Sequence, residues 1–166
     1  TLWVAVLLAS AFCAGARFLL LRMHPAIRGL GRWGLAGGIG VLALVLIYLY
    51  GIALWQPLLS LVQLLVVIGL ALCWDGFRRF LGNSPLSRQV VAMLAGAVVV
   101  WIVVVQALQS LELRASGNAI LIVILSALTA RELLATTKPV TPAMRALGWA
   151  YVINATIFLV RAVAAQ

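Results

Sequence analysis

The stretch PLLSLVQLLVVIGLALCWDGFRRFLG, residues 57–82, contains the pattern that decides the fold. Its first sixteen residues are apolar or weakly polar, and an acid and two arginines then follow within seven residues. About 20 mostly apolar residues suffice for a helix to span the hydrocarbon layer, and ionisable groups are tolerated at the ends of such a span. The stretch therefore predicts a transmembrane helix over about 57–77, with Asp75, Arg78 and Arg79 at or just beyond its charged end.

The whole chain has the same apolar character. Of its 166 residues 66% are hydrophobic and only 9% are charged, with a mean hydropathy of +1.20; soluble domains are roughly 45–50% apolar and about 25% charged. No stretch between the apolar runs is long enough for a separate soluble domain. We predict an all-α polytopic membrane protein whose residues 1–166 form one domain, a bundle of six transmembrane helices over about 1–21, 34–53, 57–77, 89–111, 118–135 and 146–165.

Polar or Pro- and Gly-containing segments connect these spans. Proline and glycine interrupt helices, and short polar side chains favour turns and helix caps. The predicted connections are Arg22–Arg32, Trp55–Pro57, Gly82–Pro85, Glu112–Asn118 and Lys138–Pro142.

The distribution of Lys and Arg predicts the orientation. Ten of them lie in or beside the connections after the first, third and fifth spans, and only Arg114 and Arg161 lie on the opposite side. Short loops rich in these residues stay cytoplasmic, which places the N-terminus outside. Both termini then lie outside, so a cytoplasmic C-terminal domain would require a seventh helix after Gln166. We therefore interpret the net charge of +9 as a determinant of membrane orientation and of attraction to anionic lipids, and we expect no nucleic-acid partner.

Few side chains could perform chemistry. The acids are Asp75, Glu112 and Glu132, and the only histidine, His24, lies in a predicted loop. Two isolated cysteines provide no zinc motif, and one histidine excludes bis-histidine haem ligation within this chain. We therefore expect neither enzymatic activity nor a metal or other cofactor in these residues.

Ionisable residues near the span ends are candidates for structural ion pairs. Asp75 is three and four residues from Arg78 and Arg79, so it can pair within its own helix or reach an arginine of a neighbouring helix, for which Arg17 is the natural candidate. The remaining candidates, Arg131 and Glu132, are adjacent and project about 100° apart, so each is expected to face a different neighbour.

Other polar residues and two glycines are candidates for ligand binding or helix packing. Arg161 with Asn154 could line an outward-facing cavity or anchor in headgroups, and Trp101 with Gln106 marks either a pocket or ordinary core packing. Gly34 and Gly38 form a GxxxG motif, which permits close helix approach and dimerisation.

Two segments carry a resemblance to a known family. The run LALCWDGFRRFLG, residues 70–82, resembles the LxxGLRRFLG-type segment in the multi-helix membrane input regions of bacterial GGDEF diguanylate cyclases. Residues 144–162 are similar to that family's penultimate helix, which has an arginine at each end, and the basic and aromatic residues from Arg28 to Trp33 fit the same plan.

The resemblance implies a sensory transmembrane module of the bacterial inner membrane. We expect this module to be homodimeric and to respond to a small ligand or to membrane lipids. Its output would be a cytoplasmic enzyme that condenses two GTP into cyclic di-GMP, and this chain contains no GGDEF stretch itself. Two alternatives remain open at this point: a small multi-pass transporter or channel, and an accessory subunit of a membrane complex.

Overall fold

The computed structural model describes residues 2–53, 56–108, 111–136 and 141–164. These residues form six α-helices: α1 (Leu2–Met23), α2 (Leu30–Ala53), α3 (Gln56–Phe80), α4 (Arg88–Leu108), α5 (Leu111–Leu134) and α6 (Pro142–Ala164). The described residues contain no strand, so the all-α prediction is confirmed.

The prediction of a turn over Glu112–Asn118 is wrong, because α5 begins at Leu111 and includes this segment. Its sequence, ELRASGN, begins with residues of high helix propensity, and that preference outweighs the later glycine and asparagine.

Local sequence signals explain several helix ends. After α3, Gly82 has φ of 70°, its N–H donates to the Arg79 carbonyl at 3.0 Å, and the Asn83 N–H donates to the Arg78 carbonyl at 2.8 Å. This pair of bonds is a Schellman cap, which favours glycine at the left-handed position. The predicted stop of the third helix is thereby confirmed.

Side-chain caps begin helices α4 and α6. The Ser87 hydroxyl accepts the Val90 N–H at 3.2 Å ahead of α4, and the Thr141 hydroxyl accepts the Met144 N–H at 3.4 Å ahead of α6. Pro142 is the first residue of α6, where its missing N–H removes no helical bond.

The chain divides into two compact units, Thr1–Ser84 and Pro85–Gln166. In the first unit α2 packs against both α1 and α3, and in the second α5 packs mainly against α6. The α2–α3 hairpin buries residues such as Ala43, Val67 and Phe77, whereas Leu125, Ser126, Thr129 and Leu133 are fully enclosed in the second unit.

Many large apolar side chains point away from both cores. Phe12, Met93 and Val163 are 78%, 75% and 67% exposed, and similar residues lie along every helix. Among the described residues, three helical segments are long and apolar enough to cross a membrane: Leu30–Ile52, Leu58–Phe80 and Pro142–Val160. Exposed apolar side chains along such segments are suited to lipid contact, since lipid is their favourable surrounding.

Candidate functional site

The arginine–aspartate cluster, formed by Arg32, Asp75 and Arg79, joins the beginning of α2 to the end of α3. Asp75 lies on α3 one turn before Arg79, whose Nε donates to Asp75 Oδ2 at 2.7 Å. Arg32 of α2 places its Nε 3.3 Å from the same oxygen. The Asp75 side chain is 8% exposed, against 35% for Arg79 and 43% for Arg32. The cluster therefore holds a buried carboxylate between two partly solvated cations, which offsets the cost of its burial.

Two glycines bring the backbones of the same helices together beside this cluster. Gly29 has φ of 91°, and a Cβ built on it would collide with the carbonyl of Gly76. A Cβ on Gly76 would in turn lie 2.5 Å from the Trp33 indole nitrogen. Glycine is thus required at both positions, by backbone conformation at the first and by space at the second.

Aromatic rings enclose the junction. The Trp33 ring packs against Phe77 and Phe80, with centroid distances of 4.8 and 5.3 Å, and the Arg78 guanidinium lies 5.8 Å from the centroid of Trp74. The indole N–H groups of Trp33 and Trp74 are buried and have no acceptor in the described part of the chain. Rings and guanidinium groups together make this end of the hairpin amphipathic, as at a membrane interface.

Arg17, proposed from the sequence as a partner of Asp75, belongs to α1 and lies beside Gly37 of α2. Its Nη1 atom is 3.2 Å from the position that a Cβ on Gly37 would occupy, and the same Cβ would be 3.4 Å from the Ala14 Cβ. Arg32 of α2 is a neighbouring-helix arginine that does contact Asp75. The sequence pattern predicts Arg32 in the connection before α2, whereas the structure includes it in the first turn of that helix. Its position immediately before Trp33 is the feature of the sequence that could have identified it as a partner of Asp75.

The other candidate packing glycines have a different environment from Gly37. A Cβ at Gly34 or Gly38 would meet no atom within 4 Å, apart from the backbone of its own helix. Among the glycines of α2, Gly37 is therefore the one that lies closest to α1, while the GxxxG pair leaves room beside its helix.

The ligand candidates are only partly described. The Asn154 amide of α6 donates to the Ser126 hydroxyl of α5 at 2.9 Å, a bond between helices within the second unit. Trp101, Gln106 and Arg161 lie on helices α4 and α6, but their side chains are outside the described residues. Asn154 is thus placed in helix packing.

The remaining ion-pair candidates lie near the end of α5, beside a groove between α5 and α6. This α5–α6 groove has a volume of about 340 Å³. Arg131 lines it, whereas Glu132 projects differently and is half-buried. The full lining comprises Val123, Ala127, Ala130, Arg131, Leu134, Ala135, Val152, Ala155, Thr156 and Leu159.

Where the structure describes the chain, it is all-α and has three candidate membrane spans. No protein-family model, curated protein or solved structure matches the chain. Among the described residues no group of three or more His, Cys, Asp or Glu side chains could hold a metal ion.

Proposed function

We propose that this chain is the membrane-embedded input module of a bacterial signalling protein, located in the inner membrane and coupled to a cytoplasmic diguanylate cyclase. The observation that carries the proposal is the physical role of the segment that resembles cyclase input regions. In that segment Gly76 permits helix contact, Arg79 binds Asp75, and Gly82 caps α3. Because three residues of this segment have specific structural roles, we favour a real relationship to cyclase input regions over a resemblance caused only by shared apolar composition.

The proposed topology has six spans with the N-terminus outside. The apolar lengths of α2, α3 and α6 support crossing by these helices. The arginine–aspartate cluster, at the beginning of α2 and the end of α3, falls where the charge distribution predicts the cytoplasmic boundary. Tryptophans and arginines in that position would anchor the hairpin in the interface.

In the proposed mechanism, a small ligand or the state of the bilayer changes helix packing and thereby the spacing of two cyclase domains in a homodimer. The open space beside Gly34 and Gly38 supports contact between copies through α2. A ligand shifts such an equilibrium only through different affinities for the two states. The α2–α3 hairpin, held by its ion pairs and glycine contact, would keep its internal packing during this change.

The first test is to read the coding region downstream of Gln166 in the intact gene. The proposal requires a further apolar run followed by a GGDEF-containing domain, and a stop codon within a few residues would overturn it.

The second test measures cyclic di-GMP in bacteria that express the intact gene product. Asp75→Asn should alter the nucleotide level, whereas Arg28→Gln, which removes an exposed charge from the same boundary, should not. Equal nucleotide levels in wild type and the Asp75 variant, at equal expression, would refute the role of the junction. Solute flux in liposomes would instead favour a transporter.

A further inference from the structure

The α5–α6 groove has the composition of a lipid site. Ligand sites of about 300–1,000 Å³ are typically apolar with a few placed polar groups, and this groove, at about 340 Å³, has that composition. On α5 it follows Val123, Ala127, Ala130 and Leu134, which recur every three or four residues and so share one face of the helix, and Arg131 lies four residues after Ala127. Its length along α5 suits an extended acyl chain more than a compact solute.

The polar groups of the groove differ in their availability. Of the ten lining residues only Arg131 and Thr156 have polar side chains, and the Thr156 hydroxyl already donates to the Val152 carbonyl at 3.0 Å within its own helix. Arg131 is exposed, and no carboxylate in the described part of the chain contacts its guanidinium. The groove therefore combines an apolar wall with one uncompensated cation near the end of α5.

We infer that the α5–α6 groove binds one anionic phospholipid, with the phosphate at Arg131 and an acyl chain between α5 and α6. The opposite charges of guanidinium and phosphate select the headgroup, because a guanidinium donates parallel hydrogen bonds to phosphate oxygens. The small side chains of the alanines at positions 127, 130 and 155 leave the volume that the acyl chain of the lipid fills. Basic pockets between membrane helices are suited to anionic lipid headgroups. The inference needs the chain to lie in a membrane, as the proposed function does, but it does not depend on a cyclase output.

The test counts lipids that remain bound to the purified chain in detergent, by native mass spectrometry. The probes are dioleoylphosphatidylglycerol and the zwitterionic dioleoylphosphatidylcholine at equal concentrations. Wild type should retain one phosphatidylglycerol in preference to phosphatidylcholine. Arg131→Gln should weaken phosphatidylglycerol binding about tenfold, as expected for a lost hydrogen bond to a charged group. Arg131→Lys should retain part of the preference.

Two further variants separate the groove from general attraction to a positive protein. Arg145→Gln removes an exposed charge from α6 outside the groove lining and should leave phosphatidylglycerol binding unchanged. Ala130→Leu keeps all charges but fills the groove, and it should lower binding of the same lipid. Ala155→Leu does so from the opposite wall, and circular dichroism checks that both leucine variants keep the helical content of wild type.

The outcomes are decisive for the proposed site. Equal losses in the Arg131→Gln and Arg145→Gln variants would overturn it in favour of unspecific charge attraction. If both leucine variants bound as much phosphatidylglycerol as wild type, the lipid would not occupy the groove, and the proposal would be refuted. Competition by soluble glycerol phosphate at the lipid concentration would assign the site to a free phosphate and also overturn the lipid proposal. A missing GGDEF domain would refute the proposed function while leaving these measurements unaffected.

Discussion

Replacing Asp75 by asparagine tests the energetic role of the arginine–aspartate cluster. The substitution keeps the shape of the side chain but removes the charge that Arg79 contacts at 2.7 Å and Arg32 at 3.3 Å. A hydrogen bond to a charged group contributes about 1.5–3 kcal/mol, and breaking a fully buried ion pair costs about 3–5 kcal/mol. Both arginines are more than one third exposed, so water recovers part of that loss. We expect a loss of about 1–2 kcal/mol in the free energy of unfolding.

The assay is equilibrium unfolding of the purified chain in mixed micelles, followed by far-UV circular dichroism. Arg79→Gln and the double variant Asp75→Asn/Arg79→Gln complete a mutant cycle, in which the coupling energy should be about 0.5–1.5 kcal/mol. Arg28→Gln is the matched control, because it removes one exposed arginine near the same helix end. Wild-type stability of the Asp75 variant would refute the reasoning, and so would an equal loss in the Arg28 control.

Three further substitutions test the helix contacts. Gly29→Ala should destabilise by more than about 1 kcal/mol, because φ of 91° and the nearby backbone oppose a side chain; Gly40→Ala, where a Cβ meets nothing within 4 Å, should be neutral or stabilising in the same unfolding assay. Asn154→Leu should cost about 0.6 kcal/mol through the lost bond to Ser126, and a Ser126→Ala background should abolish most of that cost. Gly37→Leu should separate α1 from α2 and speed proteolysis between them, whereas an unchanged cleavage rate relative to Gly40→Leu would contradict the proposed contact.

Much of the fold follows from local sequence signals. The apolar runs predict helices because an α-helix forms its backbone hydrogen bonds within its own segment, whatever its neighbours are. The end of α3 is local too, since Gly82 alone supplies the left-handed residue of the cap. The Asp75–Arg79 bond also follows from spacing, because residues four apart share one helix face.

Contacts between helices could not be derived in the same way. The sequence singled out Arg17 for Asp75 and the pair Gly34 and Gly38 for close packing, whereas the structure places Arg32 at Asp75 and Gly37 against α1. Which face of α2 meets α1 depends on the rotation of two apolar helices, and nearly uniform hydrophobicity provides no stripe that would fix it. Charge sign and glycine content identify candidate residues for ion pairs and close helix contacts, but the relative rotation and position of the packed helices decide which candidates meet.

The two hairpins are stabilised by different interactions, which gives them different costs of rearrangement. Moving α2 relative to α3 would uncover the Asp75 carboxylate from Arg32 and separate a glycine contact that tolerates no side chain. Moving α6 relative to α5 would break the hydrogen bond from Asn154 to Ser126, and the alanine-lined groove already leaves space for the change. Because interhelical bonds of this kind contribute only about 0.6 kcal/mol each in membranes, modest differential lipid affinity is enough to bias the second hairpin. In a sensory module, α5 and α6 are therefore the helices that we expect to respond, with the α2–α3 junction as the fixed part.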